Sequence, residues 1–195
     1  MNTNRIVTES FIAKELIAID PGKSNGGIVI YKGDNIYETL AIKKFYGKGI
    51  NTDAELVDWF KRQKEICKLP LVVIEKINTY SSDFENRGKM MRMQSLIKHY
   101  ASLLTAIKSA KLQLIEVMPI SWQKYMDIYE KGEDYKARKD RYKDIAQDWF
   151  AGQKVVGWNA DAFLLIEFIR KKLRYEPRWI HNKLKQCVKS DKSLF

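Results

Sequence analysis

Apolar and polar positions along this chain switch between two periods. KELIAID at 14–20, GGIVIY at 26–31 and the stretch 36–45 are short apolar or alternating runs, parted by Pro21-Gly22 and by Gly33-Asp34-Asn35. Turn residues between such runs predict three strands in an antiparallel meander. Over 54–67 the period lengthens: Leu56, Trp59, Phe60 and Ile66 recur near helical spacing, after Asn51-Thr52-Asp53 and before Pro70. LVVIEK at 71–76 predicts a strand buried on both faces. A polar loop at 78–87, a long helix over 90–110 and a strand QLIEVM at 113–118 then form a parallel crossover unit. Three more helices are expected at 121–126, 135–150 and 159–173. The pattern predicts one α/β domain with a mixed sheet, an antiparallel three-stranded meander plus parallel strands, flanked by helices. It spans 14–173, with a leader at 1–13 and a basic tail at 174–195.

Composition narrows the class. The 195 residues are 45% hydrophobic, enough for a sizeable core and against disorder. The formal net charge of +11 points to a polyanion, of which nucleic acid is the commonest, although a basic surface also serves solubility alone. Cys67 and Cys187 stand far apart without a partner motif, which suits reduced thiols rather than a disulfide frame or zinc site. No apolar run approaches the roughly 20 residues a membrane helix needs. The N-terminus has no signal-peptide core, so the expected location is the cytoplasm, with no membrane partner.

Three acids stand at element ends. Asp20 closes the first strand, Glu75 lies near the end of the fourth, and Asp161 opens the last apolar helix. Adjacent strand ends bring such groups to one edge of an α/β sheet. Clustered carboxylates resist shared ionisation unless a divalent cation neutralises them, and oxygen-only ligands suit Mg²⁺ or Mn²⁺. Each acid also has an ordinary use. Asp20 can cap a turn, Glu75 can pair within the core, and Asp161 can favour a helix N-terminus. The joint pattern is more specific than its members.

That pattern carries a resemblance. Ile17-Ala18-Ile19-Asp20-Pro21-Gly22-Lys23-Ser24-Asn25-Gly26-Gly27 resembles the opening of RuvC-type Holliday-junction resolvases, and the phage-type proteins look most similar. Val72-Val73-Ile74-Glu75 looks like their second acidic motif. Residues 116–124, EVMPISWQK, are similar to the strand, proline and lysine that follow, and Asn159-Ala160-Asp161-Ala162-Phe163 resembles the closing motif. Order and spacing agree over residues 16–170. The resemblance implies a ribonuclease H-like fold, two Mg²⁺ ions (Mn²⁺ substituting) and a homodimer that resolves four-way junctions by paired symmetric nicks. It implies Asp20, Glu75 and Asp161 as metal ligands, and Lys124 near the scissile phosphate, where a cation offsets developing charge. One departure stands out. The family usually carries a fourth acid one helical turn before the last aspartate, where this chain has Gly157 and Trp158. Asn159 offers only an amide oxygen.

DNA contacts are expected from three stretches. Residues 78–92 interleave Tyr80 and Phe84 with Arg87, Lys89 and Arg92, which suits unstacked bases at a junction centre, although either aromatic can also pack on the core. Arg170, Lys171, Lys172 and Arg174 belong to residues 166–195, which hold nine Lys or Arg against three acids; they suit phosphates, or a solvated helix face. The cluster holding Lys139 (with Lys136, Arg138, Arg141 and Lys143) is diluted by Asp140 and Asp144. Three other readings remain: a nuclease for other branched DNA, a catalytically weak junction-binding protein, and a phosphate loop of actin-like ATPases at DPGKSNGG. The last normally needs two domains, more than this length supplies.

Overall fold

The computed structural model describes residues 15–43, 52–67, 70–77 and 87–192. Five strands form one sheet in the order β3-β2-β1-β4-β5. The meander is β1 (Leu16–Asp20), β2 (Gly27–Tyr31) and β3 (Tyr37–Ala41), with Asp20 opposite Gly27 and Gly27 opposite Ala41. β4 (Leu71–Glu75) joins β1 in parallel, and β5 (Gln113–Val117) joins β4 in parallel. The third strand was expected to reach residue 45 but stops at Ala41. Its partner strand has run out there, the last bond being Ile42 N–H to the Gly26 carbonyl, and Ile42 turns into the core.

Among the described residues, six helices flank the sheet. α1 (Asp53–Ile66) starts on a capping box in which Thr52 and Glu55 satisfy each other's backbone N–H groups. With α2 (Arg87–Ser109) it covers one face: Leu56, Phe60, Leu103 and Ile107 meet Ile17, Ile19, Val72 and Ile74. The opposite face carries α3 (Pro119–Tyr125), α4 (Tyr135–Trp149), α5 (Ala160–Tyr175) and α6 (Pro177–Lys192). There Trp122, Tyr142, Phe163, Leu164 and Ile180 pack on Leu16, Ala18, Val73 and Ile115. The alternating residues of β1 and β4 thus feed two separate cores, which is why both strands are apolar nearly throughout.

The segment read as a basic tail is helical from Pro177 to Lys192 and packs on β5 and α5. Trp179, Ile180 and Leu184 supply the apolar side that seats it. Lys172 shows how tightly this corner is built. It is 7% exposed, paired to Glu176 at 2.6 Å, with its ammonium 3.7 Å from the Tyr125 ring centre and 5.2 Å from that of Trp179. Its charge is met inside the chain, joining α3, α5 and α6.

Candidate metal centre

β1 ends at Asp20 because Pro21-Gly22 turns the chain, and the Gly22 N–H donates to Asp20 Oδ1 at 3.1 Å. The turn-capping use of this acid is therefore real. Glu75 ends the neighbouring strand β4, and the buried Trp122 indole N–H donates to its Oε1 at 3.0 Å. Asp161 lies in the first turn of α5, which crosses the sheet so that its N-terminus meets these strand ends. One oxygen from each of the three carboxylates falls within 4.8 Å of the others.

Two glycines allow this closeness. A Cβ on Gly26 would lie 2.3 Å from the carbonyls of Asp20 and Gly22, and one on Gly27 would lie 2.4 Å from the Trp158 carbonyl and 2.7 Å from its ring. Gly27→Ala is expected to push the loop before α5 off the sheet, costing about 1–3 kcal/mol as overpacking does. Urea denaturation checks this; an unchanged midpoint would mean that the loop gives way freely.

Burial and mutual repulsion set the electrostatics. Asp20 is raised from its ordinary value to about 6, mainly by burial and then by the charge of Asp161, with Lys139 opposing. Glu75 is pushed up to about 8, by burial first and then by Asp20 and Asp161. Lys139 reaches in from α4, 2.6 Å from Asp161 Oδ2 and 3.6 Å from Asp20 Oδ2. Burial works against its charge, but the charges of Asp161 and Asp20 and the hydrogen bond to Asp161 outweigh it, so the ammonium is held above the ordinary lysine range. Asp161 Oδ1 is buried and meets no hydrogen-bond donor among the described residues. A buried carboxylate oxygen left bare beside two other acids fits a hard divalent cation, whose ligands are oxygens.

Asp20, Glu75 and Asp161 are thus brought together, and Lys139 joins them. Its expected place was among phosphate contacts. A usable signal lay in its spacing with the buried Tyr142 and Ala146, which puts a lysine on the core-facing side of α4. Lys124 is exposed, 5.3 Å from the Tyr129 ring centre, and makes no ion pair with the three acids. Asn159 is not poised as a ligand: its Oδ1 accepts from Val156 N–H at 2.7 Å and its amide donates to the Lys154 carbonyl at 3.2 Å. Trp158 fills the space over Gly27.

The expected DNA contacts are scattered. Tyr80 and Phe84 lie outside the described residues. Arg87 and Lys89 fall in the first turn of α2 with their side chains outside the described set, and Arg92 is exposed on the same helix. Arg170 sits over Tyr31 and reaches the Tyr37 hydroxyl, at the opposite end of the meander from Asp20 and roughly 13 Å along α5 from Asp161. Lys171 lies 5.0 Å from the Trp149 ring centre, and Arg174 is exposed beside Tyr175. Lys172, buried and paired, offers no free charge to a phosphate. His99 is buried and pushed down to about 4, mainly by burial and then by Lys23, which keeps it neutral.

A mixed five-stranded sheet with helices on both faces and acids at adjacent strand ends defines a ribonuclease H-like fold of the RuvC kind. A solved structure of Thermus thermophilus RuvC is similar at a TM-score of 0.50 and 15% identity, covering 82% of this chain and 95% of that one. T. thermophilus RuvC in complex with a Holliday junction substrate gives a TM-score of 0.49 and 10% identity, over 83% of this chain and 96% of that one. At such identities the likeness is one of fold. No family model and no curated protein matches the chain.

Proposed function

We propose that this chain is a divalent-metal-dependent endonuclease that cuts branched DNA, four-way junctions foremost, acting as a homodimer that makes paired symmetric nicks. The observation that carries the reading is the buried triad Asp20, Glu75 and Asp161 with the bare Asp161 Oδ1, in a chain of net charge +11. When bound, Mg²⁺ or Mn²⁺ would supply an activated water and neutralise charge on the phosphate. The three carboxylates would hold the metal, Gly22 and Trp122 fix the orientation of two of them, and Lys139 would keep a positive charge beside an incoming phosphate. Lys124, freely exposed, would reach the phosphate from α3, and Arg92 with its neighbours on α2 would meet the junction. Met91 and Ile97, exposed on α2, suit a twofold contact.

The test is a labelled four-way junction beside a matched linear duplex, in Mg²⁺ and in EDTA. Paired nicks in the junction alone, lost in EDTA, are expected. Equal cutting of flaps or duplex would move the substrate to branched DNA in general or away from it. A second reading, a junction-binding protein on this fold, is favoured by Trp158 and the committed Asn159 amide. Binding without cutting in both Mg²⁺ and Mn²⁺ would establish it.

A further inference from the structure

The oxygens of the centre can be counted one at a time. Asp20 Oδ1 is held by Gly22 N–H, Glu75 Oε1 by the Trp122 indole, and Asp161 Oδ2 by Lys139 at 2.6 Å. Asp161 Oδ1 alone is left bare, one oxygen from each acid lies within 4.8 Å of the others, and Lys139 also stands 3.6 Å from Asp20 Oδ2. The loop just before Asp161 adds none. Asn159 Oδ1 is taken by Val156, and the Trp158 carbonyl is pressed on Gly27. Three converging oxygens with waters suit one octahedral ion. Charge agrees, since once a cation has displaced the Glu75 proton, three carboxylates and one ammonium leave two negative charges for it to balance. A second divalent ion would overfill the site and would have to displace Lys139 from two of its acids.

We infer that the DNA-free protein takes one divalent cation per chain, with the Lys139 ammonium standing as the centre's second positive charge. The inference rests on the metal-dependent reading above and departs from the two ions that the sequence resemblance implies. Lys139 is then a built-in competitor for Asp20 and Asp161. It sets both the number of ions bound and the affinity of the first.

Titration of the full chain with Mn²⁺ alone, followed by electron paramagnetic resonance, tests this without any turnover. One equivalent per chain with a mononuclear spectrum is expected for the wild type. Lys139→Ala should tighten the first ion by about tenfold and admit a second equivalent with a spin-coupled signal, because a competing charge has gone. Two equivalents of similar affinity in the wild type would overturn the inference, as would Lys139→Ala binding Mn²⁺ with unchanged number and strength. Asp20→Asn separates the two levels of argument. If it binds Mn²⁺ as well as the wild type, or if the wild type binds none, the metal centre itself falls, and the inference falls with it.

Discussion

Asp20→Asn is expected to lower metal-dependent cleavage of a branched substrate by at least about 10³-fold while leaving DNA affinity within a few-fold of the wild type. The substitution is nearly isosteric, so the Gly22 N–H keeps an oxygen to donate to. The charge shared by the cation and Lys139 is lost. Asp20 closes the central strand of the sheet and shares Lys139 with Asp161, so no neighbour can replace it. Single-turnover cleavage and a binding assay on the same junction separate the effects. A variant that loses both together would indicate that Asp20 supports the fold of the DNA surface. One that loses neither would remove the triad from the chemistry.

Glu75→Gln is expected to make the metal-free protein more stable at alkaline pH, by on the order of 2–4 kcal/mol at pH 8. The sign follows from the direction of the shift. Glu75 sits at about 8 in the fold against an ordinary 4.5, so its neutral form is the one the fold prefers. Its favourable contribution is complete below about pH 4.5 and is lost as pH rises toward 8. Asp20, raised from 3.8 to about 6, adds a loss of the same sign at lower pH. Glutamine keeps an oxygen for the Trp122 indole but never ionises, so its advantage should open between pH 5 and 8 in EDTA. Mg²⁺ should shrink or reverse the gap by stabilising the wild type. Urea curves for both proteins that stay parallel over that range, with and without Mg²⁺, would rule this account out.

Sequence alone exposed the parts of this centre that are local. An apolar run that ends in a carboxylate at Pro21-Gly22, and a second that ends in Glu75, announce strand ends because an unpaired charge has no place inside a buried strand. Asp161 was visible as the acid that opens an apolar helix. Lys139 was read as a phosphate contact and not as part of the centre, because its role depends on how α4 packs against α5, and four nearby basic residues hid its spacing with Tyr142 and Ala146. Asn159 has the right chemistry for a ligand, but only the backbone path from Lys154 to Val156 shows that its amide is used there. Charge counting also obscured α6: nine cations in the terminal segment drew attention away from Trp179, Ile180 and Leu184. Counting likewise could not show that Lys172 turns inward among aromatic rings while Arg174 turns outward.

The division of the core between the two faces of the sheet bears on how the chain is made. Helices α1 and α2, which seal one face, are translated among the strands themselves, whereas α3 to α6, which seal the other, all follow β5. While the ribosome works through that second half, Leu16, Ala18, Val73 and Ile115 have no cover, and the nascent sheet offers a bare apolar wall to chaperones or to its own kind. The same order of synthesis delays the carboxylates' meeting. Asp20 and Glu75 wait at their strand ends until α5 arrives with Asp161, so the centre is assembled only after most of the scaffold around it has been translated.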